Sequence, residues 1–368
     1  MANEPLDIKL KVNSSRFGKW YEIQRFISYS IDLDLEADAD IFKFTIMNPN
    51  SVCTGLFSKF DDVEILINKK SIMKGRLDNI GYTWDSGGSS ITINGRDLMA
   101  ELIENDAIPG THKNVKPTTY IKNKCSEYGI KSKVDSSIKT VKQLVISAGE
   151  SEVSVINNIV ENSRKKVWFD YDTLHAGDWN DGAEPSYLFT RGITDNSGIP
   201  IKSLEYNENG TDVKSMVKIY GSNSEGAEKV VGTAKNSYMI DRGINRRLIK
   251  RASNDDSSNK YSEDATQDVK NSLRDNIELK ITTRSGLGGL ILPNKTAQVI
   301  DTVTRMNAIF FITGVHYEKT LNSGSTVTVT MIPSKTTFDK LWKNQAKVGG
   351  SLTGTSKTSI SSLVKETW

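Results

Sequence analysis

The sequence predicts an α+β fold: two β-barrel-like domains flanking a small α/β domain, with a helical insertion in the second barrel region. Three observations carry this expectation. Residues 1–96 alternate apolar and polar side chains with almost no helical periodicity. Residues 97–199 mix helical and strand patterns. Residues 200–344 return to alternation, with one helical stretch inside it. The expected division is therefore 1–96, 97–199 and 200–344, followed by a polar tail at 345–368.

In the first segment Leu6, Ile8, Leu10 and Val12 alternate with Asp7, Lys9 and Lys11. Stretches 62–68 and 72–84 repeat the style, with Gly and Asn supplying turns. The plainest alternation is 31–40: Ile31, Leu33, Leu35, Ala37 and Ala39 on one face, Asp32, Asp34, Glu36, Asp38 and Asp40 on the other. It reads as one continuous strand. Several short strands of this kind suggest a small barrel or sandwich.

The first segment ends in Ile91-Thr92-Ile93-Asn94-Gly95-Arg96-Asp97-Leu98. The alternation is expected to stop at Asn94-Gly95, where glycine permits a sharp change of direction. From Asp97 the period is helical, with Leu98, Leu102 and Ile103 on one side. Asp97 suits the cap of that helix.

In the middle segment a helix is expected over 118–128, with Pro117 in its first turn and Gly129 at its end. Cys125 falls on its apolar side and reads as a core residue. Lys142 to Ser147 suits a strand, 151–162 a second helix, and 167–172 a further strand. Ala176 to Glu184 is polar and reads as a loop.

Asn209-Gly210 signals a hairpin between 201–206 and 213–220. Ala265, Val269 and Leu273 recur four apart, with Ser262 as N-cap of a helix. Strands follow at 277–281, 298–303, 309–317 and 326–332. No sequence repeat proves that the two β regions are copies of one another. Past residue 345, Gly349, Gly350, Ser351, Thr353 and Gly354 cannot build a core. That segment reads as a flexible attachment tail.

Composition narrows the function classes. Among 368 residues, 48 Lys plus Arg face 45 Asp plus Glu, a balance that argues against a dedicated nucleic-acid binder. Two cysteines, Cys53 and Cys125, suit a reducing cytosol better than a disulfide scaffold. The start has neither a basic nor an apolar leader region, so synthesis in a cytoplasm is expected. No window approaches the apolar length of a membrane span, so the protein is not expected to insert into a membrane by itself.

No constellation points to chemistry. The acidic row 32–40 lacks the glycine of a calcium loop at its sixth position, which is Ala37. Along a strand its carboxylates would stand about 6.8 Å apart, too far for one ion. A solvated strand, protected by its charges from wrong pairing, is the simpler reading. Gly286-Leu287-Gly288-Gly289 lacks the third glycine of a dinucleotide loop and reads as a β connection. His112, His175 and His316 have no metal-ligand spacing. No catalytic, cofactor or metal residues are therefore assigned, and no enzymatic activity is expected. Trp20, Trp84, Trp168 and Trp179 leave open a cell-wall carbohydrate-binding tail module. A tail-associated peptidoglycan hydrolase would need an acid pair or zinc site that the sequence does not signal.

Three stretches resemble the baseplate hub proteins of contractile phage tails, the family of the phage Mu tail hub. They are the 91–105 transition; the helix 265–273 with strands 277–283 and 298–303; and strand 309–317 with the turn 322–324 and strand 326–331. The resemblance spans about 330 residues, with Leu292-Pro293-Asn294 where the family pattern suggests Pro-Gly. It implies a homotrimer at the distal tail end, adapting the sixfold tail tube to the threefold central spike. The implied partners are the tail tube protein, the central spike protein, the tape-measure protein and baseplate wedge proteins. The implied location is a virion or tailocin particle; whether that particle is a DNA-containing phage or a headless bacteriocin stays open. Spike proteins of type VI secretion have a similar N-terminal region.

Overall fold

The computed structural model describes residues 6–48, 53–86, 88–193, 198–222, 228–252, 258–321 and 324–347. Strands dominate, with six helices among the described residues, giving an α+β-like class. The chain divides into two compact units. One holds residues 1–179, 282–294 and 313–329; the other holds 180–281, 295–312 and 330–368.

The first unit opens with β1 (Ile8–Ser14), β2 (Lys19–Ile23), β3 (Ser28–Asp34), β4 (Ile41–Met47), β5 (Asp62–Ile67), β6 (Lys70–Asp85) and β7 (Gly88–Asp97). Their hydrogen-bonded order is β3-β4-β7-β6-β5-β1-β2. All neighbours in that order are antiparallel. The strands bury alternate side chains: Leu10, Val12, Ile31, Phe44, Val63, Ile65, Leu77, Ile91 and Ile93 are almost wholly out of contact with solvent. The sheet does not close into a barrel. Among the described residues β2 and β3 do not pair with each other, so the expected barrel is an open sheet.

Two expectations fail here for physical reasons. Strand β7 does not turn at Gly95; its alternate burial runs unbroken through Asp97. Glycine is needed there for proximity. A Cβ at Gly95 would lie 1.9 Å from the Arg76 carbonyl oxygen and 2.7 Å from the Phe42 ring. The acidic row is not one strand either. Strand β3 ends at Asp34, and residues 35–39 bend before β4 begins. Carboxylates compete for backbone amides: Glu36 N–H donates to Asp34 Oδ1, and Asp34 N–H to Asp40 Oδ1, both at 2.8 Å.

The chain continues through α1 (Met99–Glu104), β8 (Gly110–Val115), α2 (Pro117–Glu127), β9 (Lys131–Val134), β10 (Val141–Ile146), α3 (Glu152–Glu161), β11 (Lys166–Asp170) and β12 (Thr173–Gly177). Strands β8 and β10 form one ribbon, and β11-β12-β9 a small mixed sheet. Helix α2 starts on Pro117 and ends before Gly129, whose φ of 70° lies in the left-handed region that favours glycine. Ser151 caps α3 by accepting from the Ser154 amide. Leu102, Ile121, Cys125, Ile156 and Val160 share a core with Leu98 and Leu174. Residues 97–179 thus sit in the same compact unit as residues 1–96, with an apolar cluster of their own.

In the second unit come β13 (Tyr187–Arg191), β14 (Ile199–Pro200), β15 (Ser203–Glu208), β16 (Met216–Ser222), β17 (Glu228–Lys235), α4 (Ser237–Ile240), β18 (Arg247–Arg251) and α5 (Ser258–Arg274). Asn209-Gly210 is not a hairpin turn: β15 pairs elsewhere, while β16 lies between β17 and β18. Instead the Asn209 side chain accepts from the Thr211 amide, and Arg246 binds the Gly210 and Thr211 carbonyls. Helix α5 begins before Ser262, and its Tyr261, Ala265 and Val269 pack on Val217 and Ile219.

The last elements are β19 (Ile277–Arg284), β20 (Lys295–Asp301), β21 (Met306–Thr320), β22 (Gly324–Pro333) and α6 (Lys335–Lys347). Strand β15 pairs β19. In the second unit β20 lies between β13 and the first half of β21. In the first unit the other half, from Gly314, pairs antiparallel with β3. Helix α6 occupies the first three positions of the expected tail; residues from 348 onward lie outside the described set. Among the described residues no helix is long and apolar enough to cross a membrane.

Candidate functional site

Gly95, Arg96 and Asp97 each have a separate function. Gly95 lets β6 and β7 approach closely. Arg96, on the opposite face of β7, grips Asp78 through Nε and Nη2 at 2.8 and 3.2 Å, and Glu104 through Nη1 at 2.7 Å. It thereby ties the end of α1 to the sheet, beside the Arg76–Glu101 pair at 2.6 Å.

Asp97 continues the inward face set by Ile91, Ile93 and Gly95, so a carboxyl occupies a core-facing position. It is 2% exposed. Its Oδ1 accepts from the Met99 amide at 3.0 Å, a turn at the start of α1 rather than the expected cap; Leu98 is the cap residue. Its Oδ2 is buried and has no partner at hydrogen-bonding geometry. Burial pushes the carboxyl up to about 7, against the pull of the Asp40, Met99 and Ala100 amides and Arg96. Burial and the neighbouring Asp97 likewise raise Asp40 well above the usual carboxylate range.

Both acids line a pocket of about 240 Å³ within the first unit. The 34–40 bend supplies its acidic rim: Asp34, Glu36, Asp38 and Asp40. The lining also takes in Val153, Asn157 and Glu161 of α3, successive positions on one helix face, with Val167, Trp168, Phe169 and Trp179. Lys165 is engaged by Asp178 at 2.5 Å and Asp135 at 3.5 Å. Lys166 sits over the Trp179 ring, 4.9 Å from its centre. The sequence read the acidic row as a solvated strand, and so missed that its bend meets Asp97. Among the described residues no three or more His, Cys, Asp or Glu side chains are grouped to hold a metal ion.

Of the other residues singled out in the sequence, Trp168 and Trp179 line this pocket, while the histidines, cysteines, Trp20 and Trp84 are not among its lining residues. His316 on β21 pairs with Asp32 on β3, which raises its pKa. His175 stacks on Trp168 with ring centres 5.0 Å apart, and burial lowers its pKa. His112 lies on the exposed strand β8. Cys53 and Cys125 are free thiols, and burial pushes Cys125 up to about 12. Trp20 and Trp84 are half or more exposed; Trp84 stacks on Tyr82 near the end of the β6–β7 hairpin. Phe17, Met47 and Phe60 add exposed apolar surface to the same unit.

An antiparallel sheet joined to a small α/β region, with a second strand-rich unit that packs a helix of its own, defines a strand-rich α+β-like fold. Residues 7–97, which include this Gly-Arg-Asp segment, match the family described as Mu phage baseplate assembly protein GpP-like, N-terminal. No curated protein sequence matches the chain. Among solved structures it is similar to the tail protein of Neisseria meningitidis MC58, at 18% identity and a TM-score of 0.72, covering 90% of this chain and 97% of that one. It is similar to the 43 kDa tail protein of prophage MuSo2 from Shewanella oneidensis, at 18% identity and a TM-score of 0.70, covering 89% and 98%. An E. coli component of the type VI secretion system has the same general fold, at 12% identity and a TM-score of 0.55, covering 88% and 76%. Together the domain match and the shared fold support a phage tail baseplate protein.

Proposed function

We propose that this chain is the structural hub of a contractile-tail baseplate. In this reading it forms a homotrimeric ring at the distal end of the tail and adapts the sixfold tail tube to the threefold central spike. The observation that carries the reading is the likeness to whole tail proteins along some nine-tenths of the chain, joined to the baseplate family match at residues 7–97. Residues 1–96 and 200–344 take equivalent places in the ring, so three chains offer six similar faces. Residues 97–199 form the α/β domain between them, and residues 345–368 the flexible attachment tail. The exposed Phe17, Trp20, Met47, Phe60 and Trp84 supply apolar surface for such contacts.

The neighbours in this reading are the tail tube protein, the central spike protein, the tape-measure end and the wedge proteins. The protein is made in the host cytoplasm and resides in a virion or tailocin particle. It has no catalytic role, binds no specific nucleic acid and does not enter a membrane unaided.

Light scattering of the chain with its spike partner tests the trimer: three chains of 40.8 kDa contribute about 122 kDa. A structure of the assembled particle decides the rest. A chain count other than three, or unrelated topologies in the two β regions, sinks the hub reading. The exposed Trp84–Tyr82 stack favours one competitor, a cell-wall carbohydrate-binding module. Retention of the pure protein on purified cell wall, without trimer formation, would favour that competitor. Release of soluble fragments from cell wall would instead show hydrolase activity.

A further inference from the structure

We propose that the open edge of β18, in the second unit, takes an added strand from an acidic partner polypeptide. The sheet β17-β16-β18 ends there: among the described residues β18 pairs only with β16. In a parallel pair a strand bonds its neighbour through every second residue. The Arg246 carbonyl accepts from the Met216 amide at 3.3 Å, and the Ala252 amide donates to the Tyr220 carbonyl at 2.7 Å. Even-numbered residues therefore serve β16. Arg247 and Ile249 turn their N–H and C=O groups the other way, to an edge that no described strand covers. Such a row of backbone groups is a template for one more strand.

The side chains select which strand. One face of the sheet is closed by α5: Val217, Ile219 and Leu248 share a core with Tyr261, Ala265 and Val269, and Lys250 pairs with Asp268 at 3.1 Å. The register puts Lys235, Lys218, Arg247 and Arg251 on the other face. No acidic residue stands in the rows where all three strands pair. Ile249 and Val230 lie among these cations, 58% and 39% exposed. Cations interspersed with exposed aliphatic carbon match a strand that carries carboxylates and an apolar residue on one face. Opposite Arg247, Ile249 and Arg251 the complementary order is acid, any residue, branched aliphatic, any residue, acid, because same-face positions alternate.

A nucleic acid fits less well. Phosphates would use the cations, but neither the edge carbonyls nor Ile249 and Val230. Lys and Arg on an edge also discourage stray pairing. That protection acts against basic strands and is reversed for an acidic one.

The test uses the full-length chain without any tail partner, so it stands apart from the hub reading. The probe is the peptide acetyl-Thr-Glu-Thr-Val-Thr-Glu-Thr-amide. Its control, acetyl-Glu-Thr-Thr-Val-Thr-Thr-Glu-amide, has the same composition and charge but sets its acids on the face opposite to valine. Calorimetry should give the probe a Kd of roughly 0.1–1 mM at low salt, with the control at least about fivefold weaker. Hydrogen exchange should slow within 247–251 when the probe is bound, which a merely electrostatic contact would not do. Arg247→Glu, at an exposed residue, should weaken the probe about fivefold. The same peptide with lysines in place of its glutamates should bind that variant more tightly than it binds the wild-type chain. No binding of the probe, equal binding of the control, unchanged exchange, or unchanged affinity in Arg247→Glu overturns the proposal. Oligothymidylate that binds more tightly than the probe and displaces it would make this a nucleic-acid face and also overturn it. So would self-association of the chain that Arg247→Glu abolishes, which would give the edge to a second copy.

Discussion

The amide of Asp34 donates to the carboxylate of Asp40 at 2.8 Å, across six residues that alternate as evenly as any strand in the chain. That one bond folds the acidic segment back on itself and carries Asp40 toward Asp97.

Asp97 has a raised pKa, so the folded chain holds a proton that the unfolded chain has released. Stability attributable to this group therefore falls as pH rises from about 4, its unfolded value, to about 7. Asp97→Asn removes the burden. We expect the variant to exceed wild type in unfolding free energy by at least about 1 kcal/mol at pH 8, with the gap closing near pH 4. Denaturant unfolding at pH 4, 6 and 8 measures it; a variant weaker than wild type at pH 8 contradicts the buried-acid account.

Gly95→Ala should destabilise severely, because its Cβ meets the Arg76 carbonyl oxygen at 1.9 Å and the backbone of β6 has nowhere to yield. A loss of more than about 2 kcal/mol is expected from the same unfolding measurement. Less than about 0.5 kcal/mol would mean the strands do not approach as described.

In the second unit Arg191 on β13 clasps Asp301 on β20 through Nε at 2.9 Å and Nη2 at 2.5 Å, and the Asp301 side chain is fully buried. The guanidinium and Thr304 hold the Asp301 pKa below the usual carboxylate range despite burial. Its contribution is present above about pH 4 and disappears as pH falls through the depressed folded value. Arg191→Ala should cost about 3 kcal/mol at pH 7, since it strands a buried charge. An equal loss at pH 2 and pH 7 would refute the charge pairing.

His316 should titrate above its ordinary 6.5 because Asp32 faces it across the β3–β21 pair. A raised histidine contributes stability below its unfolded pKa, and the contribution vanishes as pH rises through the folded one. Asp32→Asn should return His316 toward or below 6.5 in an NMR titration. An unchanged titration would show that the pair is not formed in solution.

Strand and helix identities were legible where one periodicity ran without competition. The alternation of Ile8, Leu10 and Val12 and the four-residue spacing of Ala265 and Val269 both describe real buried faces. Alternation alone misled at 35–40, because Ala37 and Ala39 are small enough for a bend and aspartates satisfy backbone amides locally. At Gly95 the sequence shows only that a Cβ is missing. Whether that serves a turn or a close approach depends on Arg76 and Phe42, which reach Gly95 only through the sheet. The pocket was hidden for the same reason: the acidic bend, Asp97 and α3 are distant in sequence. Asn209-Gly210 had the right turn chemistry, but its flanking strands join different partners.

The pairing of β3 with the second half of β21 joins residues 284 positions apart, as His316 and Asp32 show. A ribosome adding roughly 5–20 residues per second leaves β3 without that neighbour for something like 15–60 s. During that interval the strand is a bare edge, and bare edges recruit foreign strands. Asp32 and Asp34 lie on this edge, and their charge would discourage such mispairing until the chain's own partner has been made.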